Sequence, residues 1–484
     1  MCYNFLMGGR MMKTKNGKLV MLLILSLVFT ILTWFVAGGN YNDGIFVSAG
    51  ITRAGLYDIF LIIYACIYYE IPNIFYLLCI GGAYGVLSNT KSYRKLVDKA
   101  VHAIKGKEIL AVIVITLLMA LYVSISNQLL TVMFLVPFII TVFIRRGCDR
   151  LTALSTAFGG MFIGTFGATL GTYGTQYMLT SLGVTIKDGI WYKVIIFLVA
   201  FALYNIFLIL HMRKHKKKYA LTKYDMFTTE KLDEKGTVKS KRQKVWPTVL
   251  VLALGILIAL LAYIDWEGSF GVTFFSESYA KMGEKVVISE VPVINSLLGS
   301  SFAAFGEWSD LLVLAYLLVF VVIIVALINK MSISKFFEEF ANGVKKISGP
   351  TFMYALAFGT FSVCYFFSWP VTTINSLFGN GKFNIFTLLL IAILIAVIFV
   401  NKEYIGFIFG SYFALTYAEH LVPTLIINQI AYGFFLVAGP TSFLIMFALT
   451  YLDIPYLKWL KHIWKFLLTM FIASLVILLL MCYL

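Results

Sequence analysis

The chain has 484 residues, 61% of them hydrophobic and only 13% charged, with a mean hydropathy of +0.90. A water-soluble core does not absorb so much apolar surface, so the composition excludes an ordinary set of soluble domains and requires lipid as the solvent. The formal net charge is +16, but the basic residues fall between apolar segments, the pattern of cytoplasmic loops and not of a nucleic-acid face.

Taken in order, Arg10, Lys13, Lys15 and Lys18 precede an unbroken apolar run, Leu19–Ala37. It is long for a signal peptide and no clear A-x-A cleavage site follows, so it reads as a first transmembrane helix with its N-terminus inside. The block 55–87 is interrupted by Glu70-Ile71-Pro72. Proline there predicts a short amphipathic helix and then a crossing helix from Asn73. Lys91, Arg94, Lys95, Lys99, Lys105 and Lys107 mark 91–107 as cytoplasmic. Further helices are expected at 151–183, 190–210, 248–264, 311–329, 350–370, 421–450 and 466–484. The loop 211–247 is strongly basic and predicted to be cytoplasmic. The loop 265–310, with Asp265, Glu267, Glu277, Glu284, Glu290, Glu307 and Asp310, is predicted to be external. Trp34, Trp191, Trp266, Trp308 and Trp369 fall at expected outer helix ends, and Trp246, Trp459 and Trp464 at inner ones, as interfacial anchors would.

Two segments do not read as simple spans. In 109–144, flanked by Lys105/Lys107 and Arg145/Arg146, the polar break Ser124-Ile125-Ser126-Asn127-Gln128 divides the apolar sequence. Two full helices with a tight turn satisfy that pattern, and so does a re-entrant hairpin whose tip is wrapped by protein or faces a water-filled cavity. Its counterpart, 383–417, is broken by Asn401-Lys402-Glu403-Tyr404 and has both ends on the opposite side. Each is followed by a helix with an interruption. The first is rich in Gly159, Gly160, Gly164, Gly167, Gly171 and Gly174 with Thr165, Thr169, Thr172 and Thr175; the second carries Gly433 and then Ala438-Gly439-Pro440-Thr441-Ser442. Aligning Gly171 with Gly439 also aligns Trp191 with Trp459 and Lys193 with Lys461.

The expected fold is therefore an all-α polytopic membrane protein with inverted-topology repeats, each with a hairpin and an interrupted helix, and about 9–11 transmembrane helices. The expected divisions are 1–54 (first helix and external loop), 55–210 (first repeat), 211–247 (basic loop), 248–310 (helix and acidic loop) and 311–484 (second repeat). Such an arrangement points to a secondary transporter with its site between the hairpins. A channel is a weaker reading, because paired, non-identical hairpins favour alternating access.

The glycines have a plain reading as close helix packing, since GxxxG spacing occurs at 160/164 and 167/171. They also have a functional one, in which opened helices free backbone groups for a ligand. The candidate solute site comprises Ser124, Ser126, Asn127, Thr169, Gly171, Thr172, Asn401, Gly439, Pro440, Thr441 and Ser442. Its carboxylate would be held by amides freed at Asn127 or Thr441. Glu403 is the candidate for carrying a proton; the plain reading is an ion pair with Lys402 or a solvated turn. A cation such as sodium held by Asn, Thr and Ser oxygens is the alternative coupling route. Asp58 pairs most simply with Arg53, and Glu419-His420 reads as interfacial.

The six cysteines form no CxxC pair, and GxxxxGK[ST] and HExxH are absent, so no cofactor is expected and the sequence names no metal site. His211 and His215 have helical spacing but lie in a lysine run, which favours a solvated loop. The rival class, a lipid-linked sugar polymerase of surface-glycan assembly, should carry external arginines for a diphosphate. The acidic external loop contains none.

Three stretches resemble a known family: Arg53-Ala54-Gly55-Leu56-Tyr57-Asp58-Ile59-Phe60, Gly81-Gly82-Ala83-Tyr84-Gly85-Val86-Leu87-Ser88-Asn89-Thr90, and Gly439-Pro440-Thr441-Ser442 with Ile454-Pro455-Tyr456-Leu457-Lys458-Trp459-Leu460. The likeness is to the YfcC-type family of basic amino acid or short-chain anion carriers, related to the C-type anaerobic C4-dicarboxylate carriers. It implies re-entrant hairpins, a small-molecule solute, lipid contact, a homodimer and residence in the cytoplasmic membrane. Two departures weaken a sodium site: Asn401-Lys402-Glu403-Tyr404 stands where the family carries a Ser/Gly-rich tip, and Leu170-Gly171-Thr172-Tyr173-Gly174 where it carries Asn-Pro.

Overall fold

The structure, a computed structural model, describes residues 16–215, 226–229, 244–285, 287–288, 291–292, 303–378 and 383–483. Arg10, Lys13, Lys15, Cys2, most of the basic loop and Glu290 lie outside the described residues. Seven helices among those described are long and apolar enough to cross a membrane, and four shorter apolar helices accompany them. The chain is an all-α polytopic membrane protein.

Helix α1 (Gly17–Leu32) ends five residues before the predicted Ala37. The chain then turns into a hairpin of β1 (Gly38–Asn42) and β2 (Ile45–Gly50), paired antiparallel. Helix α2 (Leu56–Ser88) runs unbroken through Pro72, correcting the expected interruption. A proline removes one N–H from the ladder, and a helix wedged among neighbours tolerates that loss. Asp58 bonds the Gly55 N–H at its start (2.6 Å) instead of pairing with Arg53. The amphipathic α3 (Lys91–Ala103) leads to α4 (Glu108–Ser126), a 3₁₀ turn (Leu130–Leu135) and α5 (Val136–Arg145). Helices α6 (Arg150–Phe166) and α7 (Gln176–Leu182) flank the first interruption, and α8 (Ile190–Lys214) returns across the molecule.

Helix α9 (Trp246–Ala262), the short α10 (Trp266–Phe270) and α11 (Phe274–Lys285), and the strands β3 (Val287–Ile288) and β4 (Val291–Pro292) precede the second half. There α12 (Leu311–Ile328) is followed by α13 (Ile333–Phe367), which passes through Pro350 and begins well before the predicted 350. Next come α14 (Trp369–Phe378), α15 (Ile385–Phe399) and α16 (Lys402–Thr416). Helices α17 (Leu421–Ala438) and α18 (Phe443–Tyr451) flank the second interruption, and α19 (Tyr456–Tyr483) starts ten residues before the predicted 466.

The two halves pack reciprocally: α2 crosses α13, α12 packs on α2 as α1 packs on α13, α6 crosses α17, and α8 pairs with α19. The α2–α13 crossing is backbone to backbone, because a Cβ on Gly343 would lie 2.1 Å from the Gly81 carbonyl oxygen. The sequence motif Gly81-Gly82-Ala83-Tyr84-Gly85 thus serves packing.

The first hairpin is closed at its base, where Arg146 Nε meets Glu108 Oε1 at 2.7 Å and Arg145 meets Asp98. The base of the second is held by Phe383, whose ring lies 4.0 Å from that of His420 and 5.6 Å from that of Tyr417. These bases lie on opposite faces. Helix α8 measures about 37 Å at its 25 residues. Its start, Gly189, abuts Val422 and Met481, next to the second base, and its end, His211, meets Asp149, next to the first.

Tryptophan placement only partly follows the anchoring expectation. Trp34, Trp191, Trp246 and Trp464 are exposed, but Trp308, Trp369 and Trp459 are buried. Trp459 Nε1 donates to the Val437 carbonyl at 2.8 Å, supporting the end of α17 where the helix breaks. Three of the five histidines meet at the first-hairpin face: His211 lies 4.2 Å from His215 and 4.3 Å from His462, ring to ring.

Candidate functional site

Each hairpin tip is made by one residue with positive φ: Asn127 (φ 56°) after α4 and Val400 (φ 54°) after α15. Asparagine tolerates that region, whereas a β-branched valine there is strained and must be held by its surroundings. The Tyr432 hydroxyl supplies such a tie, donating to the Val400 carbonyl at 3.2 Å. The two tips, entering from opposite faces, meet: Lys402 Nζ donates to Asn127 Oδ1 at 3.3 Å.

Each tip is also tied to the interrupted helix of its own half. Ser124 Oγ donates to the Gly167 carbonyl, the Thr169 N–H donates to the Ser124 carbonyl at 2.8 Å, and Asn127 Nδ2 donates to the Tyr173 carbonyl at 2.8 Å. In the second half Thr441 Oγ1 donates to the Val397 carbonyl, and Ser442 Oγ donates to Leu436. Gly171 lies against the first tip so closely that a Cβ there would sit 2.3 Å from the Ser126 carbonyl carbon. These bonds satisfy the backbone groups that broken helices leave open.

Beside the tips lies a polar cavity of about 530 Å³, lined among others by Glu70, Asn73, Tyr173, Asp310, Asn401 and Glu403. It adjoins an inner chamber of about 100 Å³ that shares Glu70, Asn73, Tyr173, Asn401 and Glu403 and adds Asn127, Gln128, Lys402, Tyr354 and Tyr432. Asn127, Lys402 and Tyr432 also line a pocket of about 20 Å³ beyond, with Thr175, Asn428 and Gln429. The tip-to-tip contact therefore stands between the two spaces. The cavity side is that of Asp310, at the start of α12. The other end of α12, Asn329, bonds Ser92 of α3 on the first-hairpin side, at 2.7 Å.

Among the described residues Lys402 is the one cationic side chain lining these chambers, and its ammonium lies 5.8 Å from the centre of the Tyr432 ring. It forms no ion pair with Glu403 among the described residues. Glu403 is exposed in the outer cavity, and its N–H is capped by Asn401 Oδ1 at 2.8 Å. Glu70 is buried beside the cavity. Its Oε2 accepts from Asn73 Nδ2 at 2.7 Å and from the Tyr354 hydroxyl at 2.9 Å.

Of the residues selected from sequence, Asn127, Asn401 and Glu403 line the chambers. Ser124, Ser126, Thr169, Gly171, Thr172, Gly439, Pro440, Thr441 and Ser442 line none of these three spaces. The hydroxyls of Ser124, Ser126, Thr441 and Ser442 donate to backbone carbonyls, and the Asn127 N–H donates to Val123. At the first tip the amide is thus already used, and the Asn127 side chain faces the chamber. Sequence reasoning passed over Glu70, Asn73, Gln128, Tyr354 and Tyr432, and treated Lys402 only as a countercharge. Glu70 and Lys402 carried a signal, being ionisable residues inside apolar segments; the tyrosines and amides carried none.

A family model described as C4-dicarboxylate anaerobic carrier (DcuC) matches residues 17–483. No curated protein sequence matches significantly. Among solved structures, the YdaH transporter of Alcanivorax borkumensis, described as having an unusual topology, is similar at 12% identity and a TM-score of 0.40, covering 97% of this chain and 98% of that one.

Proposed function

Because the chain belongs to the DcuC C4-dicarboxylate anaerobic carrier family, and so is a carrier and not a glycan-assembly enzyme, we propose that it is a secondary active transporter of a small carboxylate solute, working by alternating access between two re-entrant hairpins. The observation that carries this reading is the contact of Lys402 with Asn127 across the hairpin tips, at the wall of a polar cavity. An ammonium without a carboxylate partner in a low-dielectric setting is costly, and a solute carboxylate relieves that cost. Gln128 offers an amide donor beside it, and the N-terminus of α16 adds partial positive charge.

Electrostatics also supports coupling to a cation. The chambers set Glu70, Asp310 and Glu403 against Lys402 alone. A dianion entering them needs accompanying positive charge, which protons or sodium ions supply. Within this proposal the solute is a dicarboxylate or an amino acid, and the protein is a YfcC-type member of its family. The chain lies in the cytoplasmic membrane with the N-terminus and the 211–247 loop inside and 265–310 outside, as its charge asymmetry supports. The repeats are 55–210 and 311–484, and a homodimer follows from the family likeness.

Uptake by proteoliposomes tests this, with labelled C4-dicarboxylates and amino acids offered under separate proton and sodium gradients. A Lys402→Gln carrier should lose affinity for the transported carboxylate by about tenfold or more, the loss of one charge-assisted bond. Unchanged KM in that variant, or no uptake of any carboxylate by the wild type, overturns the reading.

A further inference from the structure

We propose that Glu70, through its Oε1 atom, takes up and releases the proton that travels with the solute; this rests on the carrier reading above. The geometry distinguishes Glu70 from Glu403. Both described hydrogen bonds to Glu70 end on Oε2. Oε1 accepts none among the described residues, and the residue lines both the outer cavity and the inner chamber. One oxygen is thus held while the other meets the space through which solute passes. Glu403, by contrast, sits exposed at the N-terminus of α16, open to the outer cavity.

The two donors reach Glu70 from both repeats. Asn73 lies one turn along α2, and Tyr354 lies on α13. No cation is within ion-pair distance of Glu70 among the described residues, so its charge is borne by two neutral donors. Asn73 Nδ2 and the Tyr354 hydroxyl hydrogen point at the carboxylate, which suits a group alternating between O⁻ and OH. A metal cation needs several oxygen acceptors instead.

The charged and titratable groups facing Glu70 are Tyr69 on its own helix, Tyr354 of α13, Asp310 capping α12, Tyr173 of the first interruption, Lys402, Glu403 and Tyr404 of α16, and Tyr432 of α17. Asp310, Glu403 and Lys402 share these chambers with Glu70. A solute carboxylate that engages Lys402 brings a further negative charge into the chamber. That change favours a proton on Glu70. Linkage makes the converse hold, since a protonated Glu70 strengthens solute binding. The step balances: a proton from water on one side forms the Oε1–H bond, and the same bond gives its proton to water on the other side as the solute leaves.

The test uses the full-length carrier. In pH-difference infrared spectra without solute, the wild type should show a protonated-carboxyl band that Glu70→Gln removes and Glu403→Gln leaves. In proteoliposomes, Glu70→Gln should keep solute counterflow but lose accumulation driven by a pH gradient. An infrared band unchanged in Glu70→Gln, or gradient-driven accumulation retained by it, overturns the assignment. Because the band needs no solute, absence of counterflow in the wild type strikes the carrier reading separately.

Discussion

Replacing Gly171 by alanine separates what the interrupted helix does from what an ordinary helix packing contact does. The added Cβ would lie 2.3 Å from the Ser126 carbonyl carbon, and 2.5 Å from both the Asn127 nitrogen and the Ser126 oxygen. All three atoms are backbone, so no side-chain rotamer relieves the overlap. Since ordinary contact begins at 3.4 Å, the first tip and the 167–175 segment must part by about 1 Å, an overpacking cost of about 1–3 kcal/mol. That displacement stretches the 2.8 Å bond from Asn127 to Tyr173 beyond hydrogen-bonding range and removes Asn127 from its 3.3 Å contact with Lys402. A misplacement of that size at a solute-orienting group lowers transport by about 10²-fold. The assay is initial-rate counterflow in proteoliposomes containing equal amounts of folded carrier, judged by size exclusion and thermal unfolding in detergent. Wild-type counterflow from Gly171→Ala would refute the claim that contact between tip and interrupted helix sets the site geometry.

Two further outcomes concern stability. Gly343→Ala puts a Cβ 2.1 Å from the Gly81 oxygen and 2.9 Å from the Gly85 Cα, so thermal unfolding in detergent should show a loss of about 1–3 kcal/mol. Gly349→Ala on the same helix meets nothing within 4 Å and should raise stability by about 0.5–1 kcal/mol. Burial by itself would raise the Asp149 carboxyl, but hydrogen bonds from His211 and Thr152 outweigh it and hold the group well below the usual carboxylate range. A depressed carboxylate stabilises the fold above its unfolded value and loses that contribution as pH falls. The stability difference between wild type and Asp149→Asn should therefore be present at neutral pH and shrink below about pH 4; a difference that is constant through that range would contradict the tie.

The hairpins illustrate what local sequence can convey. Polar breaks inside apolar runs located both tips within a residue or two, because a backbone that stops being helical in a membrane must take polar residues with it. The glycine-rich interruptions were legible for the same reason. The role of the hydroxyls beside them was not legible, because a Ser or Thr near a break serves equally to bond a neighbouring carbonyl or a ligand, and only the partner's position distinguishes the two. Pro72 and Pro350 show a similar limit: each stands inside a continuous helix, since neighbouring helices hold a ladder that lacks a single bond.

Composition and periodicity determined that this chain lives in lipid, that most of it is helical, and that its two halves repeat an order of elements, a hairpin followed by an interrupted helix. Those properties are set by transfer free energies and charge placement, which add along the chain and need no partner. Tertiary structure alone decided that the tips touch through Lys402 and Asn127, residues 275 apart, and that Glu70 meets Tyr354 across 284 residues. It also buried Trp459 and Ser442 against carbonyls of the second interruption, and Thr441 against the Val397 carbonyl of the second hairpin. A side chain's role depends on which backbone atom or cavity lies within about 3 Å of it, and that distance is fixed by how helices from two repeats cross.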